Sequence, residues 1–165
     1  MRTAALIVLI SFFVLGCAAG GVKSQDFQLY LVRHAEKQAD AGPDPHLTTS
    51  GHQRASKLAD WLQDKSITDI WSSDYFRTRE TAQPLADAVG KQLKIYDPHE
   101  LEVLASNLLE ASHNALVVGH SNTTPELARI LCQCDIEVMD ESEYDRLIVV
   151  DVDDGEVKVT TLRQD

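Results

Sequence analysis

The chain has 165 residues, 44 % of them hydrophobic and 25 % charged, enough to build one domain around a single core. Its formal charge is −11, from 26 acidic and 15 basic residues, so it lacks the basic footprint of a nucleic-acid binder and no such partner is expected. Any site for an anion must be a local concentration of positive charge.

Met1-Arg2 is followed by an apolar run from Ala4 to Leu15, broken only by Ser11. A run of about twelve residues is too short to span a bilayer and fits the core of a signal peptide. It ends in Val14-Leu15-Gly16-Cys17, which resembles the lipobox of bacterial lipoproteins. The resemblance implies a signal peptide over residues 1–16, cleavage before Cys17 and lipidation of that cysteine. The protein would then be anchored to a membrane of the bacterial cell envelope, facing the periplasm. The alternative is an ordinary secretory signal and release into the periplasm. Losing Arg2 with the leader takes the formal charge from −11 to −12. Residues 17–26 read as the lipidated cysteine and a tether, and 27–165 as the functional domain.

Within that domain, Phe27 to Val32 is a short apolar run suited to a buried strand. Gly42, Pro43 and Pro45 break the segment that follows. A helix is predicted from about Ser50 to Lys65, where Ala55, Leu58, Ala59 and Leu62 share a face. Asp69 to Ser72 reads as a strand, Phe76 to Val89 as a helix stopped by Gly90, and Leu93 to Tyr96 as a third strand. Asp97-Pro98 should open another helix, with Asp97 as N-cap. Ala115 to Val118 has the unbroken apolar character of a central parallel strand, and Thr124-Pro125 starts a helix. Two last strands, Leu147 to Val152 and Val157 to Leu162, turn on Asp154-Gly155 as a hairpin. Strands alternating with helices predict an α/β fold, a three-layer α/β/α sandwich with a mainly parallel central sheet.

Ligands of such sheets bind beyond the carboxyl ends of the strands. Arg33 and His34 leave the first strand at that edge, His120 leaves the fourth, and Arg77 lies where the second strand turns into its helix. Two guanidinium groups can clamp phosphate oxygens through charge-assisted hydrogen bonds. A neutral imidazole is a competent nucleophile when its other nitrogen is held by an acceptor. A second imidazole, if cationic, would stabilise the charge of a transferring phosphoryl group.

The segments carrying these residues are Leu31-Val32-Arg33-His34, Leu47-Thr48-Thr49-Ser50-Gly51-His52-Gln53-Arg54-Ala55, Ser73 to Ala82, and Val117-Val118-Gly119-His120. In this order they resemble the histidine phosphatase superfamily, which includes the phosphoglycerate mutases. The resemblance spans about residues 28–131 and implies a phosphoglycerate mutase-like sandwich acting as a metal-independent phosphomonoesterase with no cofactor. It implies that His34 is the phosphorylated nucleophile, that Arg33 and Arg77 bind the phosphoryl oxygens, and that His120 completes the pocket. The substrate would be a small-molecule or envelope phosphate ester. A phosphomutase, or an envelope module that binds phosphorylated ligands without turnover, are the rival readings.

Departures from the pattern touch the proton donor. His120-Ser121 replaces the His-Asp of the acid-phosphatase branch, and no insertion after the third strand supplies the glutamate of the mutases. Glu100, Asp97 and Glu36 are the candidate donors; the first two serve equally well as helix-start residues, and Glu36 could instead orient an arginine. Lys37 faces either the pocket mouth or solvent, and Arg79 is read as a surface ion-pair residue. His46, His52, His99 and His113 are expected to be exposed, and Trp61 and Trp71 to be core. Asp140-Glu141-Ser142-Glu143 reads as a loop, with a metal site there the remoter alternative. Cys132 and Cys134 are either a disulfide or two thiols.

Overall fold

The apolar run predicted as the first strand forms β1 (Phe27–Arg33), at the heart of the sheet. Phe27, Leu29 and Leu31 face one layer, Tyr30 and Val32 the other. A strand covered on both faces reads as a continuous hydrophobic segment rather than an alternating one, which is why β1 was visible in the sequence. The computed structural model describes residues 26–40 and 42–164. The expected signal peptide, Cys17 and the expected tether up to Gln25 lie outside the described residues.

After β1 come α1 (Thr49–Leu62), β2 (Asp69–Ser73), α2 (Phe76–Val89), β3 (Leu93–Tyr96), α3 (Leu101–Ala111), β4 (Ala115–Gly119), α4 (Thr123–Cys132), β5 (Arg146–Asp153) and β6 (Glu156–Arg163). The six strands are ordered β3-β2-β4-β1-β5-β6. The first four neighbours run parallel, and the β5–β6 hairpin adds two antiparallel strands beside β1. Helices α1 and α2 bury Leu58, Leu62, Ala82 and Leu85 on one face; α3 and α4 bury Leu104, Leu108, Leu127 and Leu131 on the other. The sandwich is therefore the expected one, with a mainly parallel sheet that the terminal hairpin makes mixed. Among the described residues no helix is long and apolar enough to cross a membrane.

Two expectations are corrected. Asp97 does not cap a helix. Its carboxylate accepts from His99 N at 2.9 Å and its carbonyl from Glu100 N at 3.0 Å, forming a turn that delays α3 to Leu101. An aspartate followed by proline can close its own turn as readily as it caps a helix. Trp61 is not core. It is 42 % exposed, edge-on to Tyr30, and lines a surface hollow with Leu58, Leu147 and Leu162. Trp71, by contrast, packs half-buried against the α3–α4 layer. Cys132 and Cys134 form a disulfide across the end of α4.

The register fixes where chemistry can occur. Arg33 pairs with Gly119 across β1 and β4, and Ser72 pairs with Val118 across β2 and β4. His34, Ser73 and His120 thus leave adjacent parallel strands at one edge.

Candidate active site

One pocket of about 320 Å³ opens at that edge, lined by Arg33, His34, Arg77 and His120 together with Lys37, Tyr75 and His99. The structure brings all four expected residues into it. His34 leaves β1 with its amide donating to Gly119 O at 3.0 Å. Ala35 N donates to Thr81 Oγ1 at 2.9 Å, and the Thr81 hydroxyl donates to Arg77 O at 2.7 Å. Thr81 therefore ties the turn after β1 to the first turn of α2, and fixes His34 relative to Arg77.

The His34 ring is 3 % exposed, with Nδ1 2.8 Å from Ala35 O. A carbonyl only accepts, so Nδ1 carries the proton and Nε2 the lone pair. Burial lowers the His34 pKa to about 3, against the raising effect of the Ala35 hydrogen bond and helped by the charges of Arg33, His120 and Arg77. The imidazole is neutral at physiological pH, as a nitrogen nucleophile must be.

His120 lies 5.6 Å from His34 between ring centres, nearly perpendicular to Tyr75. Its Nε2 is 2.9 Å from Ser73 Oγ, and Ser73 in turn donates to Thr78 at 3.1 Å. Its amide donates to Thr123 Oγ1 at 2.9 Å, and Thr124 Oγ1 donates to Val32 O at 3.1 Å. A side chain at Gly119 would place its Cβ 2.8 Å from Thr123 Oγ1 and 2.9 Å from Tyr96 OH, so glycine lets this turn close around His120. The cationic form that would let His120 stabilise a phosphoryl charge is not the one this pocket favours. Burial and the charges of Arg77 and Arg33 lower its pKa to about 4, although Glu141 and Asp44 pull the other way. A neutral ring results.

The two arginines are built in differently. Arg33 is 2 % exposed; its Nη1 donates to the carbonyls of Asp140, Glu141 and Glu143, its Nη2 to the Glu141 carboxylate, and its guanidinium lies 4.3 Å from the Tyr144 ring centre. Arg77 lies over Tyr75 at 4.4 Å and meets Asp44 at 3.4 Å. Asp44 also accepts from Phe76 N at 2.9 Å, capping α2 from a distant loop. Among the described residues, the Nε–H groups of both arginines are buried without a partner. An unmet buried donor costs about 1–3 kcal/mol, which an entering anion would relieve.

The three expected proton donors lie elsewhere. Glu36 grips Arg54, which donates to it at 2.7 and 3.0 Å. Burial raises the Glu36 pKa, but the Arg54 hydrogen bonds win and hold it below the ordinary carboxylate range. That pairing is the arginine-orienting alternative. Gly51 makes it possible by letting α1 pass close to Glu36, where a Cβ would sit 2.3 Å from the Glu36 carbonyl. Asp97 and Glu100 border a separate hollow with Trp71 and Val103. The carboxylate that does line the pocket is Glu141.

Lys37 sits at the pocket mouth, and Arg79 pairs with Asp74 at 2.8 Å. His46, His52 and His113 are exposed as expected, while His99, also exposed, lines the pocket beside Pro98. The acidic run is a turn whose carboxylates are committed: Glu143 to Arg146 and Arg163, Asp140 to Ser142. Among the described residues no cluster of three or more histidine, cysteine or acidic side chains could hold a metal.

Residues 29–102 match the family described as the histidine phosphatase superfamily (branch 1). A curated relative from Enterobacter sp. (strain 638), named "Probable phosphoglycerate mutase GpmB", is 40 % identical over 92 residues, covering 52 % of this chain and 42 % of its own. The Escherichia coli (strain K12 / DH10B) protein of that name matches to the same extent. The chain thus spans less than half the length of these relatives. Among solved structures, a protein histidine phosphatase SixA complexed with tungstate superimposes with TM-score 0.67 at 20 % identity, covering 82 % of this chain and 96 % of that one. The alpha-ribazole phosphatase from Shigella flexneri gives 0.68 at 16 % identity, covering 83 % and 96 %. These likenesses show the fold, and over residues 29–102 the chain is similar to the histidine phosphatase superfamily.

Proposed function

We propose that the protein is a metal-independent phosphomonoesterase working through phospho-His34. The observation that carries this is the tautomer lock: Ala35 O holds Nδ1–H, leaving the Nε2 lone pair of a neutral ring in a pocket shared with two arginines. The lone pair attacks phosphorus while the bond to the alcohol oxygen breaks, and the bonding electrons leave with that oxygen, which takes a proton. Water then attacks the phosphoryl group, and the phosphorus–nitrogen electrons return to Nε2. Arg33 and Arg77 neutralise the equatorial oxygens through preorganised donors, so little reorganisation is needed as charge develops. The incoming phosphoryl charge also favours a proton on His120, restoring the cationic role that the open pocket lacks.

A phosphomutase is the rival supported by the relatives' names. The wide mouth of the pocket and the absence of an insertion after β3 favour hydrolysis, because water has free access to the phosphoenzyme. Hydrolysis of an aryl phosphate with chelator present, by wild type and His34→Ala, tests the reading. Activity should survive the chelator and vanish in the variant. Robust turnover by His34→Ala, or complete dependence on a metal, would overturn it. Phosphate binding without turnover across a broad ester panel would favour the non-catalytic module.

The site of action is the cell envelope in this reading, through lipid on Cys17. Substitution of Cys17 should move the protein from the membrane fraction to the soluble one. An unchanged distribution argues against the anchor.

A further inference from the structure

Glu141 lies between α4 and β5, on backbone held firmly in place. Its own carbonyl and those of Asp140 and Glu143 accept from Arg33 at 2.7–3.2 Å. Buried Arg146 grips the Glu143 carboxylate twice at 2.7 Å and the carbonyls of Glu137 and Val138 at 2.8 and 3.1 Å. From this support the Glu141 carboxylate reaches Arg33 Nη2 at 2.9 Å and accepts from the Ser121 hydroxyl.

A second hollow of about 430 Å³ opens beside the phosphate pocket and shares Ser121, Asn122 and Glu141 with it. Its apolar wall is Pro125, Ile136 and Met139, with Val138 82 % exposed at the rim, and the charged Glu126 and Arg129 that also line it are paired with each other. Glu141 therefore stands on the border between a cationic cradle and an apolar hollow. With a phosphoryl group among the arginines and an organic group in the hollow, the oxygen joining them lies at that border.

We propose that Glu141 is the proton donor to the leaving group, and that the organic part of the substrate lies against Pro125, Ile136, Val138 and Met139. The substrate class is then a phosphate monoester with an apolar body next to the phosphate. The proposal rests on the phosphatase reading. In the substrate complex a phosphoryl oxygen takes the place of the Glu141 carboxylate on Arg33, and Glu141 enters the reaction carrying a proton from solvent. As His34 Nε2 bonds to phosphorus, the ester bond breaks, its electrons pass to the leaving oxygen, and the Glu141 proton follows. The resulting carboxylate takes a proton from the attacking water in the second step, and gives it to solvent as phosphate leaves and Arg33 takes the carboxylate back.

The test compares wild type and Glu141→Gln on 4-nitrophenyl phosphate, whose leaving group departs without help, and 2-phenylethyl phosphate, whose leaving group needs a proton. A lost general acid should lower kcat/KM on the alkyl ester by about 100-fold, and at least about tenfold more than on the aryl ester. Equal losses on both esters, the signature of a disturbed Arg33 alone, would overturn the proposal, as would no loss. Val138→Asp should raise KM for the phenylethyl ester severalfold, and an unchanged KM contradicts the placement of the organic group. If wild type neither hydrolyses the aryl ester nor forms phospho-His34, the phosphatase reading falls first.

Discussion

Ala35 O lies 2.8 Å from His34 Nδ1, one residue away in sequence, and this contact decides which ring nitrogen faces chemistry. A backbone carbonyl cannot be titrated away, so the nucleophilic tautomer persists at any pH where the ring is neutral.

The histidines predict how stability depends on pH. His34 and His120 have native pKa values of about 3 and about 4, both below the ordinary 6.5, chiefly because burial disfavours the charged ring. Below pH 6.5 the unfolded chain takes up protons that the native pocket refuses, so stability falls as pH drops. It is fully present above that value. The slope from the two rings reaches at most about 1.4 kcal/mol per pH unit for each. Urea unfolding of wild type and His34→Asn between roughly pH 4.5 and 7 should show a shallower slope in the variant. Equal slopes would mean that His34 titrates normally in the native state.

Asp44 joins two functions in one carboxylate, capping Phe76 N and guiding Arg77. Asp44→Ala should cost about 1 kcal/mol of stability through the lost cap. It should also lower kcat/KM about tenfold, as expected when roughly 1.4 kcal/mol of positioning is lost. Asp44→Asn should recover most of the stability and less of the activity, since asparagine caps well but carries no charge. Denaturation midpoints and aryl phosphate kinetics separate the two effects.

Arg146 and Glu143 form the best-shielded ion pair of the pocket's surroundings, with side chains 6 % and 13 % exposed. Removing one partner of a buried pair costs about 3–5 kcal/mol. Arg146→Ala should therefore lower Tm by on the order of 10 °C. Because the same loop supplies three carbonyls to Arg33, KM for phosphate esters should rise as well. A normal KM in a destabilised variant would show that Arg33 keeps its place without the loop.

The sequence announced the parts of the site that sit on strand ends. Arg33, His34 and His120 each follow an apolar run whose burial on both faces makes it easy to read, and Arg77 opens a strongly patterned helix. The residues that orient them were harder to see because they arrive from distant loops. Asp44 is 33 positions from Arg77, and Glu141 is 108 from Arg33. Each sits in a polar turn where a carboxylate ordinarily meets water. Thr81 and Ser73 lay inside a recognised segment, yet their hydrogen bonds to Ala35 and His120 depend on strand order rather than spacing. Asp97 misled because one turn chemistry serves both a helix cap and a closed turn. Trp61 misled because its helix packs beside an open hollow rather than beneath another layer.

The central measurement is rapid-quench mass spectrometry of the protein mixed with an aryl phosphate in chelator. Within the first turnover, one phosphoryl group should appear on the peptide carrying His34 and decay as phosphate is released, with no such adduct in His34→Ala. Turnover without that adduct, or an adduct on another residue, would contradict the mechanism.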